Sequence, residues 1–159
     1  MEFEQVPAHI DESALAGEIP ERYVVRLAEG KARAVWRPGT RALGADTVVV
    51  LGSQVLGKPQ GPSHARRMLR SLSGRGHRVL TGVALFDGDS CDTLCEETQV
   101  RFRRLEDDEI ESYVAGGEPL DKAGAYGIQG AAARFVESVN GSHSNVVGLP
   151  VEQVLAMLR

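Results

Sequence analysis

The stretch Ala42-Leu43-Gly44-Ala45-Asp46-Thr47-Val48-Val49-Val50-Leu51 carries the reading of the fold. Ten residues dominated by Val, Leu and Ala, with no proline, predict a buried strand. One acid, Asp46, interrupts it. A helical pattern precedes the strand over Glu18–Trp36, with Pro20 at a first-turn position and Val24, Leu27, Ala28 and Val35 near helical spacing. Pro38-Gly39 stops that helix. After the strand, Gly52-Ser53 and Gly57-Lys58-Pro59 bracket a short hairpin-like return, and Pro62–Leu72 predicts a second helix with Ala65, Met68, Leu69 and Leu72 inward.

The same alternation continues to the end of the chain. Ser73–Gly76 is a turn, Arg78–Phe86 a strand, and Asp87-Gly88-Asp89 another turn. Glu97–Leu105 alternates, with Thr98, Val100 and Phe102 on one side and Gln99, Arg101 and Arg103 on the other, which predicts a half-exposed strand. Asp107–Ala115 reads as a helix, Ala132–Val139 as a strand and Pro150–Arg159 as a closing helix. The class that follows is α/β, a mixed twisted sheet with flanking helices, in one domain spanning 1–159.

Composition narrows the function. The 159 residues include 18 basic and 22 acidic side chains, a formal net charge of −4, so no basic field marks a nucleic-acid binder. No apolar run reaches membrane-spanning length, and Met1-Glu2-Phe3-Glu4 lacks the charge and apolar core of a signal peptide, so a cytoplasmic location without membrane association is expected. Cys91 and Cys95 are the only cysteines; their C-x₃-C spacing would suit one helix face, but no further Cys supports a metal site, and they read as incidental thiols.

Four charged residues and one loop point to chemistry. A carboxylate amid Val and Leu is costly unless cations or hydrogen bonds compensate it, so Asp46 is a candidate metal ligand or general base, with the Thr47 hydroxyl beside it. Lys58 sits in a rigid Gly-Lys-Pro context that aims one ammonium. Lys31 lies among Ala28, Ala32 and Ala34, small neighbours that would leave room around it, and Glu12 precedes that helix. Two cations and two anions form the inventory of a metal-assisted phosphoryl site. The run Leu120-Asp121-Lys122-Ala123-Gly124-Ala125-Tyr126-Gly127-Ile128-Gln129-Gly130 has neither helical nor strand periodicity and suits close backbone approach to a ligand.

These segments, taken in order, resemble a known series. Gly44–Val49, Gly57-Lys58-Pro59, Leu72–His77, Thr81-Gly82-Val83, Gly117–Gly130 and Ser144–Pro150 are similar to the motifs of the Maf family of nucleoside triphosphate pyrophosphatases, once described as septum-formation inhibitors. The Ala123–Gly130 form resembles the branch acting on dTTP and UTP. The resemblance implies two lobes around a nucleotide cleft, as in inosine triphosphatase, a divalent cation (Mg²⁺ or Mn²⁺) and a homodimer. It implies that Asp46 is the catalytic acid and that Glu12, Lys31 and Lys58 are its charged companions, with Asp46 and Glu12 toward the metal. Thr47 and Gln129 correspond to positions tied to pyrimidine specificity, and a Gln amide can both donate to and accept from a uracil or thymine edge. Arg75 and His77 are expected in turn and structural roles.

The family's Ser-x-Ser-Pro-Arg-Arg loop has no counterpart here, since Arg66-Arg67 and Arg103-Arg104 lack the preceding Ser-Pro. An N-terminal truncation relative to the family is therefore expected, from a late start, a shortened chain or a degenerate paralogue. The alternative function is a catalytically weak nucleotide-binding or division-regulatory protein.

Overall fold

A computed structural model describes all residues, Met1–Arg159. After an extended N-terminal segment come α1 (Pro20–Val35), β1 (Ala42–Leu51), β2 (Gln54–Leu56), α2 (Pro62–Leu72), β3 (Gly76–Phe86), β4 (Cys91–Phe102) and α3 (Asp107–Ala115). Three 3-10 turns follow, at Glu118–Asp121, Ala123–Ala125 and Ala131–Phe135, before β5 (Val136–Asn140), α4 (His143–Val147) and α5 (Val151–Leu158). No helix is long and apolar enough to cross a membrane.

The five strands form one sheet in the order β2-β1-β3-β4-β5. Helices flank it as expected, but strand direction differs from the expected mixture, because all four ladders are antiparallel. The physical reason lies in the connections. Two-residue and four-residue turns join β1 to β2 and β3 to β4, and such turns reverse the chain. The α2 excursion then returns β3 beside β1, again in the opposite direction.

Other expectations shift at their edges. β4 begins at Cys91, so Cys91 and Cys95 lie on a strand and not on a helix face; both are free thiols. The segment expected as a strand from Ala132 is a 3-10 turn through Phe135, and β5 starts only at Val136. His77 is not in a turn: it is buried within β3, and its Nε2 and the Tyr126 hydroxyl lie 2.7 Å apart. Burial holds the imidazole near pKa 4, well below its usual 6.5.

Each face of the sheet carries its own core. On one face α1 lies over β1 and β3, burying Val24, Leu27, Ala28 and Ala32. Ala28 and Ala32 pack with Ala42, Ala84 and Phe86, so these small residues serve close approach of the helix to the sheet; the expected free space around Lys31 is not their main effect. Gly44 and Gly82 complete the fit. A Cβ on Gly44 would lie 2.1 Å from the Ala28 carbonyl oxygen, and one on Gly82 would lie 2.3 Å from Val24 backbone atoms. The opposite face bears the larger core, 19 buried residues that include Leu69, Leu72, Val79, Phe102, Ile110, Tyr126 and Phe135.

Candidate active site

A cleft of about 500 Å³ opens along β1, between α1 on one side and the 121–130 loop on the other. Five consecutive β1 residues, Ala45–Val49, line it. All six residues singled out from the sequence, Glu12, Lys31, Asp46, Thr47, Lys58 and Gln129, meet there. Sequence reasoning did not single out Tyr23 in the lining, and it assigned no individual role to Lys122 in the lining or to Thr81 and Asn145 behind it, though all three lie in the segments it quoted.

The charged end is built on one helix–strand contact. The register of α1 on β1 brings Lys31 Nζ to 2.8 Å from Asp46 Oδ1 and to 3.4 Å from the Ala45 carbonyl oxygen. Glu12 Oε1 lies 3.3 Å from the same ammonium. Glu12 belongs to the extended N-terminal segment, and two contacts from α1 hold that segment down. The Tyr23 hydroxyl donates to the Glu12 carbonyl at 2.7 Å, and Arg26 donates to the Ser13 carbonyl at 2.9 Å. Arg26 is itself fixed by Glu18, at 2.7 Å from Nε to Oε2.

Burial and pairing compete at Asp46, whose side chain is 13% exposed. Desolvation raises its pKa, the hydrogen bond and charge of Lys31 lower it, and the net direction is upward. Lys31 also suffers desolvation, but the hydrogen bond and charge of Asp46, then of Glu12, overcome it and raise its pKa. The two upward shifts are consistent because the carboxylate is the more deeply buried partner. Lys31 is a firm cation at neutral pH, whereas Asp46 is held closer to its protonated form than a free aspartate would be.

Lys58 follows β2, is exposed and has no acidic partner within ion-pair distance; it still lies near enough to favour the Asp46 carboxylate electrostatically. The far wall is the 121–130 loop, tied down at several points. The Gly124 amide donates to the Gly57 carbonyl at 3.1 Å, which links the loop to the Lys58 segment. The Gly127 amide donates to the Tyr113 hydroxyl at 3.0 Å, and that hydroxyl donates to Glu118 Oε1 at 3.1 Å. Gly124 and Ala125 are both left-handed, at φ +68° and +64°; for a buried alanine this costs on the order of 1 kcal/mol. The strained pair lies on the core side of the loop, with Ala125 buried in the larger core and Gly124 against Val49.

No group of three or more His, Cys, Asp or Glu side chains converges into a complete metal cage. The donor set nonetheless fits a hard cation of the Mg²⁺ kind, which binds through one or two carboxylates and completes its shell with waters and substrate phosphate oxygens. Asp46 and Glu12 flank one ammonium and are the two carboxylates that line the cleft's charged end.

A protein from Anaeromyxobacter dehalogenans (strain 2CP-C) described as dTTP/UTP pyrophosphatase is 55% identical over 158 residues, covering 96% of this chain and 80% of that protein. Proteins of the same description from Shewanella denitrificans and Geotalea uraniireducens are 50% and 49% identical, covering 99% and 100% of this chain and 82% and 84% of theirs. The family described as Maf-like protein matches residues 1–159, and the chain belongs to the Maf family.

Proposed function

We propose that this protein is a nucleoside triphosphate pyrophosphatase acting on dTTP and UTP, releasing the nucleoside monophosphate and pyrophosphate. The observation that carries the reading is the Lys31–Asp46–Glu12 cluster, with Lys58 nearby, at one end of the cleft that holds Thr47 and Gln129. Relatives at about half identity over nearly the whole chain carry that activity in their descriptions.

The chemistry follows from the charges. Water attacks the α-phosphorus, the bond from that phosphorus to the bridging oxygen breaks, and pyrophosphate leaves with the electron pair. The Asp46 carboxylate takes the water's proton; its raised pKa brings it closer to the affinity a general base needs. Lys31 and Lys58 stabilise negative charge on the phosphate oxygens as it redistributes. Asp46 and Glu12 would hold a divalent cation, Mg²⁺ or Mn²⁺, which when bound neutralises phosphate charge and acidifies water. Thr47 and Gln129 hold the base, and the 121–130 loop closes the other side of the cleft. The reading takes residues 1–159 as a single unit, in the cytoplasm where nucleoside triphosphates are held, with a homodimer as its assembly.

Purified protein incubated with dTTP or UTP and Mg²⁺ is expected to release pyrophosphate and the monophosphate in equal amounts. Release no faster than from an Asp46→Asn variant would reject the proposal.

A further inference from the structure

Of the four charged groups at one end of the cleft, Lys31 and Asp46 sit on α1 and β1, and Lys58 just after β2. Glu12 alone lies outside the sheet and its helices, on the extended segment ahead of α1. Its carboxylate has one ionic partner, Lys31 at 3.3 Å, and that ammonium is already held closer by Asp46 at 2.8 Å. With the Glu12 side chain 53% exposed, such a pair holds it only weakly. Another contact must keep Glu12 at the site.

That contact is made through the backbone. The segment runs antiparallel to α1 along one stripe of the helix. Val6, Ala8 and Ile10 are half-buried while Pro7 and His9 are exposed, the alternation of an extended chain laid on a surface. Glu4 pairs with Arg37 at 3.2 Å, and Ile10 rests on Gly30, where a Cβ would lie 3.2 Å from the Ile10 Cδ1. At the end nearest the cleft the grip is specific. The Tyr23 hydroxyl donates to the Glu12 carbonyl at 2.7 Å, and Arg26 donates to the next carbonyl, that of Ser13, at 2.9 Å. Tyr23 and Arg26 are neighbours on the helix surface, so together they hold two successive peptide units. The Arg26 guanidinium lies 5.6 Å from the centre of the Tyr23 ring and is itself fixed by Glu18. Glu18 also accepts from the Leu15 amide at 3.1 Å, which closes the loop between them. Once the Glu12 peptide is fixed, only the side chain's own torsions separate its carboxylate from Lys31.

We propose that Tyr23 is a positioning residue: its hydroxyl clips the Glu12 peptide to α1 and so keeps the Glu12 carboxylate beside Lys31 and Asp46. The inference rests on the reading above, in that Glu12 is taken to serve the phosphoryl chemistry. Tyr23 also lines the cleft, so contact with substrate is the competing role. Arg26 separates the two roles, because it holds the neighbouring peptide and does not line the cleft.

The test compares wild type with Tyr23→Phe, Arg26→Met, Glu12→Gln and the Tyr23→Phe/Glu12→Gln double variant. Tyr23→Phe keeps the ring and removes only the hydroxyl. The first readout is independent of activity. A glutamate-specific protease cuts the Glu12–Ser13 bond, whose carbonyl Tyr23 holds, and its rate there is measured against the cut after Glu4, where only the side chain is held. Wild type is cut more slowly after Glu12 than after Glu4. Tyr23→Phe and Arg26→Met each speed the Glu12 cut, relative to the Glu4 cut, by about three- to tenfold, the scale of one hydrogen bond. The second readout is the dependence of dTTP turnover on Mg²⁺. Both variants raise the half-saturating Mg²⁺ concentration by a similar factor and regain most of their kcat at high Mg²⁺, which a general loosening of the fold would not allow. Tyr23→Phe adds little to Glu12→Gln, since it acts through that carboxylate.

An unchanged Glu12 cut in Tyr23→Phe overturns the proposal. So does a turnover defect in Tyr23→Phe that Arg26→Met does not share, or one that persists in full on the Glu12→Gln background, for either shows Tyr23 acting on the substrate. If Tyr23→Phe does not fold, an unchanged Glu12 cut in Arg26→Met overturns it. Failure of wild type to release pyrophosphate from dTTP or UTP rejects the pyrophosphatase reading alone. The Glu12 cut and calorimetric binding of Mn²⁺ to wild type and Tyr23→Phe then decide the positioning, and equal Mn²⁺ binding overturns it.

Discussion

At the scale of single residues, the proposed chemistry asks most of Asp46. Asp46→Asn removes the proposed proton acceptor and is expected to lower kcat by about 10²–10⁴-fold. Its effect on stability runs the other way. A carboxyl whose pKa is raised on folding takes up its proton more readily in the folded state, so its ionised form costs stability above the ordinary aspartate range. The Asn variant should therefore melt no lower than wild type by more than about 2 °C, with Glu12 still beside Lys31. A large fall in melting temperature would mean that the ion pair is chiefly structural. Lys31→Met is expected to act on the pH profile as well as the rate. Removing the cation leaves desolvation at Asp46 opposed only by the weaker charge of Lys58, so the acidic limb of kcat/KM should move to higher pH. An unmoved limb would show that another group sets it. Asp46 was legible in the sequence because a lone acid among valines contradicts its surroundings. Thr81 was not legible as part of the site, because a threonine in a strand is ordinary by type and only the cross-strand register gives it a partner. Tyr23 is likewise unremarkable until the fold brings it to the cleft.

Among the elements, α1 couples stability to the site, because it carries Lys31 and Tyr23 while packing backbone-close on Gly44 and Gly82. Gly82→Ala forces a methyl group against the Val24 backbone, which cannot swing aside as a side chain could. The expected cost is about 3 kcal/mol, or roughly 6–12 °C in Tm for a domain of this size. Activity should fall with it, since lifting α1 separates Lys31 from Asp46. Thermal melts and kcat/KM on the same preparation check both, and a stable but inactive variant would uncouple them. The helices were readable at nearly their observed limits: prolines stand in the first turns of α1 and α2, and acidic Asp107–Glu109 opens α3, where Glu106 and Glu109 form a reciprocal cap. Three features escaped. The start of β4, Cys91–Glu96, is largely exposed on both faces and so shows no alternation of apolar residues. The five-residue α4 and the 3-10 turns are shorter than the helical period can reveal. Strand direction is a property of the connections, which local patterning does not encode.

For the molecule as a whole, two cores separated by one sheet respond to acid in successive windows. His77 lies in the larger core, packed edge-on against Phe102 and Tyr126 with its Nδ1 unpartnered. Its pKa near 4 when folded, against 6.5 for the free side chain, means that the unfolded chain binds more protons between those values. Stability is therefore full above about pH 6.5 and falls as pH drops toward 4, by roughly 3 kcal/mol if His77 acts alone. Glu109 extends the slope. The Arg103 guanidinium and the Glu106 amide hold its carboxyl near pKa 2, so its contribution is present above 4.5 and is lost as pH falls toward 2. Asp46 opposes both, gaining a proton more easily when folded. Denaturant unfolding measured at intervals from pH 7.5 to 3 should thus show decline beginning near the histidine range and steepening below it. Replacing His77 with Gln removes the titrating ring from the core and is expected to flatten the upper window while leaving the lower one in place. Glu109→Gln should do the reverse. If His77→Gln retains the full wild-type slope between pH 6.5 and 4, the proton uptake on unfolding comes from elsewhere, and the buried imidazole is not what makes the larger core sensitive to mild acid.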